Sequence, residues 1–235
     1  DPGVSEAEPF AAPEAVGCVT DVTAGEHTFK CEDLTHIVSV PEACLEHACG
    51  LVLDIHGCTM SAEMENNNTD ARARGVERDF IVVQPNAVGG VWRPNVDDPK
   101  VFAFAQEIVE AFHVDAKRIH SMGFSQGGYM SWRFVCAHSD WFASAAPAAA
   151  AGPLIIGEVG CTFTGTDKPA HELPVLYMHG TKDALVNIKN GIVLRDALLA
   201  AWGMGKEEEV SSDAGHRWVR HTNESGNVFE YIQHE

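Results

Sequence analysis

The segment that most constrains this chain is the pentapeptide Gly-Phe-Ser-Gln-Gly at residues 123–127. It lies between an apolar run with strand character, residues 118–122, and a run with helix character, residues 126–137. Glycines two positions before and after a serine are typical of a sharp strand-to-helix turn, because larger side chains would collide across the bend. Such a turn exposes the serine hydroxyl. Ser125 is therefore predicted to be a nucleophile rather than an ordinary helix N-cap.

Strand-like and helix-like runs alternate along the rest of the chain. The strand-like runs cover residues 27–30, 36–40, 51–56, 80–85, 118–122, 142–149, 174–179, 216–222 and 227–233, and the helix-like runs cover 62–76, 101–112, 126–137 and 188–202. This alternation predicts an α/β fold with a mainly parallel central sheet and helices on both faces. A length of 235 residues suits a single domain over 1–235, with 1–13 as a loose N-terminal arm.

The charge and hydropathy of the chain exclude several classes of partner. A formal net charge of −18 repels phosphate, so neither nucleic acid nor an anionic membrane is an expected partner. No apolar run approaches the length of a membrane span. The chain begins with Asp1 rather than methionine, and we expect a processed or trimmed form from which any signal peptide is absent. The sequence carries no signal of oligomeric state.

Seven cysteines indicate an oxidising compartment, so the protein is expected to be secreted, either extracellular or periplasmic. Their placement predicts three disulfides, namely Cys18–Cys31, Cys44–Cys49 and Cys136–Cys161. Cys58 is then left without a partner. No Cys or His spacing typical of zinc occurs, so no metal site is predicted.

Two further parts of a serine-based site follow apolar strands. Asp183 comes after the strand at 174–179, where a carboxylate can orient an imidazole and stabilise its cation. The alternative for Asp183 is a cap of the helix near residue 188. An oxyanion hole needs two backbone N–H groups, and we predict those of Gln126 and Cys58. His56, in the same loop as Cys58, is expected to be packed without a chemical role.

The motifs that carry this chemistry occur together and in a specific order. They are the Asp-Ile-His-Gly-Cys-Thr segment at 54–59, the Asp pair at 97–98, the Val-Asp-Ala-Lys-Arg-Ile segment at 114–119, the turn continued by Gly-Gly-Tyr-Met at 127–130, and His-Gly-Thr-Lys-Asp at 179–183. Over residues 50–190 the chain resembles the secreted polyhydroxybutyrate depolymerase and feruloyl esterase branch of the α/β-hydrolases.

The resemblance implies a serine esterase that acts on polyesters, or on feruloyl and other short-chain esters, through an acyl-enzyme and without a cofactor. The order of Ser125 before Asp183 agrees with the order of the triad in α/β-hydrolases. The resemblance also implies that Trp92 lies beside the substrate cleft, and the alternative is an aromatic residue packed on the surface. Small or polymeric esters are the expected partners.

The catalytic histidine is the part that the sequence leaves open. His216 lies in a Gly-His-Arg-Trp segment that resembles the Gly-His-x-Trp of this branch, and it could follow a short strand at 208–211. Against it, residues 207–212 are polar and make a poor core strand, whereas residues 228–232 alternate like a true strand. The resemblance places the histidine after such a last strand, at His234 or beyond Glu235, beside a cysteine that would pair with Cys58. We therefore hypothesise that the given chain stops short of both. His221, inside a predicted strand, is expected to be structural.

Two alternatives to the esterase remain. One is a serine peptidase of the same fold, although no additional domain that would restrict access to peptides is visible. The other is a non-catalytic binding relative, which the unassigned histidine would explain. Hydrolysis of a short-chain ester, abolished by Ser125→Ala, separates an enzyme from a binding protein.

Overall fold

The computed structural model describes residues 10–152 and 158–235. The strands in these residues are β1 (Gly25–Cys31), β2 (Leu34–Val40), β3 (Gly50–Ile55), β4 (Phe80–Asn86), β5 (Ile119–Phe124), β6 (Ser144–Ala148), β7 (Val175–Gly180), β8 (Glu208–Asp213), β9 (His216–Thr222) and β10 (Val228–His234). The α-helices are α1 (Ala62–Thr69), α2 (Ala71–Arg78), α3 (Asp98–Phe112), α4 (Gln126–Ala137) and α5 (Ile188–Ala201). Two short 3-10 helices span Glu42–Leu45 and Val88–Gly90.

The strands form one sheet in the order β1-β2-β4-β3-β5-β6-β7-β10-β9-β8. The six central strands pair in parallel; they are β4, β3, β5, β6, β7 and β10. The two outer strands on each side pair antiparallel, namely β1 and β2 on one side and β9 and β8 on the other. The prediction of a mainly parallel sheet is therefore confirmed. Because the carboxyl ends of parallel strands share one edge, the segments that follow β3, β5, β6 and β7 converge there.

Strand β3, at the centre of the sheet, is buried on both faces, with leucine and isoleucine on one face and the buried Asp54 on the other. Leu51, Leu53 and Ile55 of β3 are fully buried, as expected for a short apolar run in a parallel sheet covered by helices. Each such side chain contributes about 1.5–3 kcal/mol when it is removed from water. Helix α4 packs on β3, β5 and β6, so the first residues of this helix are held against the strands that end at the same edge.

Residues 62–76, predicted as one helix, form two helices instead. Ser61 caps α1 by accepting a hydrogen bond from the Met64 N–H, and the helix ends at Asp70, which has a left-handed conformation with φ 54°. A short Asp side chain tolerates this conformation better than most residues do. The chain then turns into α2, which the hydrophobic pattern alone did not separate from α1.

The polar segment at 207–212 does form a strand, β8, although all six of its residues are exposed. It pairs only with β9 at the end of the sheet. A strand at an edge obtains its stability from backbone hydrogen bonds and needs no apolar side chains, which explains why its composition argued against it. The prediction that this segment is not part of the core agrees with its exposure.

The three predicted disulfides are present, and Cys58 is a half-buried free thiol. The predicted loose arm at 1–13 lies mostly outside the described residues. Its described part contacts the end of α3, where the Phe10 ring meets His113 edge-on and the Ala12 carbonyl lies 3.2 Å from His113 Nε2. None of the described helices has the length and apolar character needed to cross a membrane.

Candidate active site

Ser125 occupies the tight turn between β5 and α4. Its φ of 51° and ψ of −115° are rare for a residue with a side chain. Such a conformation costs on the order of 1–3 kcal/mol and persists only where the surroundings hold it. Here the Ser125 N–H donates to the Ala148 carbonyl at 3.0 Å, and the Ser125 carbonyl accepts from the Tyr129 N–H at 2.9 Å. The strained conformation of Ser125 is therefore held by hydrogen bonds to β6 on one side and to the first turn of α4 on the other.

The glycines around Ser125 are required by contact with neighbouring backbone. A Cβ atom on Gly127 would lie 1.9 Å from the Ile55 carbonyl oxygen at the end of β3. A Cβ on Gly123 would lie 2.6 Å from the Gly127 carbonyl carbon, across the turn. Side chains at these two positions would push the turn off the sheet, which is the physical reason for the spacing seen in the sequence.

The loop after β3 presents the Cys58 N–H, one of the two predicted oxyanion donors. The carbonyl of Gly57, which belongs to the same peptide unit, lies 2.7 Å from His56 Nδ1 and accepts from the Met60 N–H at 3.2 Å. Because C=O and N–H point in opposite directions in a trans peptide, fixing the carbonyl also fixes the Cys58 N–H. Within residues 10–152 and 158–235 no group accepts a hydrogen bond from this N–H.

The backbone around His56 determines its tautomer. Its Nε2 accepts from the Ala87 N–H at 3.1 Å, so the ring proton must lie on Nδ1 and point to the Gly57 carbonyl. Burial lowers the pKa of His56, which agrees with a neutral ring, since a second ring proton would face the Ala87 N–H. The expectation that His56 is packed without a chemical role is therefore incomplete, because its ring orients the Gly57–Cys58 peptide.

Trp92 is buried to 2% exposure, so the alternative of an aromatic residue packed on the surface does not describe its position, while its place beside the substrate cleft stays a prediction. Its indole N–H donates to the His56 carbonyl at 2.8 Å, and its ring packs on the His56 ring. Its backbone N–H donates to the Gln126 Oε1 at 3.0 Å. Trp92 thus connects the loop after β3 to the first residue of α4.

Asp183 lies in the loop after β7, with its side chain 19% exposed. Its Oδ1 accepts from the backbone N–H groups of Leu185 and Val186, each at 2.8 Å. The alternative of a helix cap does not hold, because Asn187 caps α5 by accepting from the Lys189 N–H. One oxygen of Asp183 is thus used to close its own loop, while Oδ2 lies 3.7 Å from His179 Nε2.

His179 is a site residue that sequence reasoning missed. Its Nδ1 lies 2.7 Å from the Tyr177 hydroxyl, and its Nε2 lies 2.8 Å from the Val186 carbonyl. Since a carbonyl can only accept, Nε2 carries the proton and Nδ1 accepts from Tyr177. His179 therefore braces the loop that holds Asp183. The four-residue spacing between the two side chains was the available signal.

A cavity of about 670 Å³ opens beside Asp183 at the carboxyl edge of the sheet. Its walls include Phe124, Asp183, His216 and His234. The two histidine rings stack on each other at 5.2 Å. In the described part of the chain no histidine makes a hydrogen bond with the Ser125 hydroxyl, so the identity of the base stays a prediction. His221 is buried in β9 with Nδ1 3.0 Å from the Gly205 carbonyl, as expected for a structural residue.

One group of potential metal ligands occurs in the described residues, formed by Cys18, Cys31 and Glu107. The two cysteines are joined to each other in a disulfide, and the Glu107 carboxylate accepts from the Cys18 N–H at 2.8 Å. A disulfide sulfur is a poor metal ligand compared with a thiolate. We therefore interpret this group as a disulfide and a hydrogen bond that stabilise the N-terminal hairpin, and not as a metal centre.

The family described as phospholipase/carboxylesterase matches residues 100–226, which include Ser125, Gln126 and Asp183. An acetyl xylan esterase from Aspergillus awamori has a similar fold, with a TM-score of 0.68 at 13% identity over 89% of this chain and 93% of that one. At this identity the likeness concerns the fold alone, and it confirms the predicted α/β-hydrolase fold.

Two of the curated relatives are esterases. A bifunctional acetylxylan esterase/xylanase from Neocallimastix patriciarum is 24% identical over 141 residues, or 58% of this chain and 20% of that protein. Feruloyl esterase B from Piromyces equi is 38% identical over 91 residues, or 38% of this chain and 16% of that protein. This chain therefore spans a fifth or less of the length of these two relatives.

Proposed function

The chain belongs to the phospholipase/carboxylesterase family of α/β-hydrolases, and from that premise we propose that it is a secreted serine esterase that forms an acyl-enzyme on Ser125. It is a hydrolase that acts on esters, as its family and its esterase relatives indicate. The proposal adds the catalytic residues, the substrate class and the compartment.

The observation that carries the proposal is the geometry of the turn at Ser125. The serine lies at the carboxyl edge of the sheet in a strained conformation, with the loop of Cys58 next to it, since the Gly57 Cα lies against Phe124. Attack of the Ser125 oxygen on an ester carbonyl would produce an oxyanion. The N–H groups of Cys58 and Gln126 would stabilise that charge, as in other enzymes with this turn.

A base must take the proton of Ser125 during attack, because a serine hydroxyl is a weak nucleophile at neutral pH. We propose a histidine oriented by Asp183 Oδ2, the carboxylate oxygen that does not close the loop. His216 and His234 line the same cavity as Asp183 and are the candidates within the given sequence. The hypothesis of a histidine beyond Glu235, with a cysteine partner for Cys58, stays open beside them.

The proposed substrates are neutral carboxylic esters, either feruloyl and acetyl esters of plant polysaccharides or polyesters of the polyhydroxyalkanoate type. The acetylxylan and feruloyl esterase relatives favour the first class. The net charge of −18 disfavours polyanionic substrates. Three disulfides support an oxidising compartment, and hence secretion.

The first experiment measures hydrolysis of p-nitrophenyl acetate by the full-length protein and by Ser125→Ala. We expect turnover by the wild type and none above background for Ser125→Ala. Ser211→Ala, in the exposed strand β8, is the matched control and should retain wild-type activity. An acetyl group on the peptide containing residues 123–127, trapped by acid quenching and detected by mass spectrometry, would identify the acyl-enzyme.

A substrate panel then separates the alternatives. Methyl ferulate, acetylated xylo-oligosaccharides and 3-hydroxybutyrate oligomers represent the three ester classes, and a peptide p-nitroanilide tests for a serine peptidase. Hydrolysis of the anilide with a higher kcat/KM than any ester would contradict the esterase proposal. A folded wild type that binds these esters but hydrolyses none would favour the non-catalytic relative.

A further inference from the structure

Glu65 is a buried carboxyl group beside the candidate oxyanion loop that the mechanism does not yet use. It lies on α1, the helix that begins directly after this loop, and its side chain is only 2% exposed overall. One of its carboxyl oxygens, Oε2, has no hydrogen-bond partner in the described residues. Burial of an ionisable group without a counter-ion is costly, so its retention calls for a functional explanation.

Glu65 acts on the same glycine as His56. The backbone N–H of Gly57 faces the Glu65 carboxyl closely enough to favour its ionised form by hydrogen bonding. The Gly57 carbonyl, on the other side of the same residue, faces His56 Nδ1 at 2.7 Å. Glycine has the widest conformational freedom of any residue, and these two contacts restrain the peptide units before and after it.

Gly57 in turn lies against the nucleophile turn. A Cβ atom at Gly57 would lie 3.0 Å from a ring carbon of Phe124, the residue before Ser125, and 3.3 Å from the Phe124 carbonyl oxygen. A small rotation of Gly57 would thus redirect the next N–H, that of Cys58, relative to Ser125. A displacement of about 1 Å in a catalytic group is enough to cost on the order of 100-fold in rate.

We infer that Glu65 is a positioning residue of the oxyanion hole, which holds Gly57 so that the Cys58 N–H points at the developing oxyanion. This inference rests on the proposed function. It names a residue that neither the sequence motifs nor the family match assigned.

The surroundings of Glu65 favour the uncharged form. Burial is the largest cause and the negative charge of Asp54 the second, and together they raise the pKa of Glu65 to about 8. Asp54, on β3, is itself fully buried, with Oδ2 accepting from Gln84 Nε2 at 2.7 Å and from Thr69 Oγ1 at 2.9 Å. A neutral Glu65 adds no negative charge beside the place where the oxyanion forms.

The other charged groups near Glu65 act elsewhere. Burial raises the pKa of Asp54, and its hydrogen bonds to Gln84 and Thr69 and the charge of Arg72, on α2, offset part of that rise; Arg72 itself pairs with Glu26 and Glu63. His56, in the loop, is held neutral by its two backbone contacts. The cavity of about 370 Å³ that Glu65 lines contains no other ionisable residue. Among the described residues, an ionised Glu65 would therefore be opposed by Asp54 and would meet no cation.

The test compares Glu65→Gln with Glu65→Leu in the full-length protein, using p-nitrophenyl acetate over a range of pH. Gln retains an uncharged oxygen that can accept from Gly57, so its kcat near pH 7 should stay within about threefold of the wild type. Leu removes that acceptor, and its kcat should fall about 10- to 100-fold with little change in KM, as for loss of a contact made in the transition state.

The pH profile separates positioning from mere packing. Wild-type kcat should decline as Glu65 ionises above about pH 8, and this decline should be absent in Glu65→Gln. Glu77→Gln, an exposed glutamate on α2, is the charge-matched control and should keep the wild-type profile. Infrared difference spectra at pH 7 should contain a protonated carboxyl band in the wild type that is missing in Glu65→Gln.

The outcomes distinguish this inference from the proposed function. If the wild type hydrolyses the ester and Ser125→Ala does not, a wild-type kcat in Glu65→Leu would overturn the inference alone. An unchanged alkaline decline in a folded Glu65→Gln would also overturn it, even if Glu65→Leu fails to fold. Absence of turnover by the wild type would overturn the proposed function and the inference together.

Discussion

The N–H of Ala87 donates to Nε2 of His56 at 3.1 Å, and this contact decides which ring nitrogen carries the proton. Ala87 follows β4, while His56 follows β3, so the loops after two neighbouring parallel strands fix each other. The proton on Nδ1 then points to the Gly57 carbonyl, 2.7 Å away. A neutral, fixed tautomer is thereby built into the loop that carries the candidate oxyanion donor.

Replacing His56 by Phe keeps an aromatic ring against Trp92 but removes both polar contacts. The Ala87 N–H would then be buried without a partner, which costs about 1–3 kcal/mol of the free energy of unfolding. We expect kcat for ester hydrolysis to fall at least tenfold, with KM changed less, because the Gly57–Cys58 peptide loses its orientation.

The control for this substitution is His47→Phe, since the His47 side chain is 52% exposed. Steady-state kinetics and urea unfolding of both variants test the expectation. A His56→Phe enzyme with wild-type kcat would contradict a positioning role, whatever its stability.

Gly127→Ala should be among the most disruptive single changes in the chain. The added methyl group would lie 1.9 Å from the Ile55 carbonyl oxygen. Neither atom can move away unless the backbone of the helix or of the strand shifts with it. We expect a loss of at least about 2 kcal/mol in the free energy of unfolding, or failure to fold. Gly180→Ala is the matched control, because its nearest atom would be 3.9 Å away. Thermal unfolding followed by circular dichroism compares the two, and equal stabilities would refute the contact.

The strands near the nucleophile and the turn at Ser125 were predictable from sequence, because the apolar runs are short and bounded and the pentapeptide marks the end of one strand. The break at Asp70 was not, since a left-handed residue inside a continuous helical pattern leaves no signature in hydrophobicity. The polar composition of β8 likewise argued against a strand there. Its stability comes from pairing with β9, a contact that its own composition does not reveal.

The supports of the candidate site lie beyond the reach of motif analysis. His56, His179 and Glu65 act through partners chosen by the fold, namely Ala87, Val186 and Gly57. A histidine ring that contacts a carbonyl oxygen, or a buried carboxyl group, can be structural or functional. Which of the two it is depends on the backbone group that it contacts. Sequence spacing identifies the groups that react, whereas tertiary contacts identify the groups that hold them.

The raised pKa of Glu65 implies a dependence of stability on pH. Between about pH 4.5 and pH 8 the folded protein keeps this proton while the unfolded chain releases it. The unfolded state then binds fewer protons, so the free energy of unfolding falls as pH rises through this window and levels off above it. Each pKa unit is worth about 1.4 kcal/mol, and the whole window of about 3.5 units amounts to on the order of 5 kcal/mol.

Glu65→Gln lacks this titration. We expect its stability relative to the wild type to increase steadily from pH 5 to about pH 8, as measured by urea unfolding at each pH. Glu77→Gln should show no such trend, because that glutamate is exposed. A constant difference between Glu65→Gln and the wild type across this range would mean that Glu65 ionises normally.

The two disulfides nearest the ends of helices differ in the length of chain they close. Cys136–Cys161 joins α4 to a loop 25 residues later, whereas Cys44–Cys49 closes only 5 residues. Loop entropy in the unfolded chain predicts a loss of about 3 kcal/mol when the first is removed and about 2 kcal/mol when the second is removed. Urea unfolding of the Cys136→Ala/Cys161→Ala and Cys44→Ala/Cys49→Ala double variants measures both losses. Cys44 and Cys49 are fully buried, so loss of packing adds to the cost of their removal. A smaller loss of stability for Cys136–Cys161 than for Cys44–Cys49 would mean that packing, and not chain entropy, determines the contribution of these disulfides.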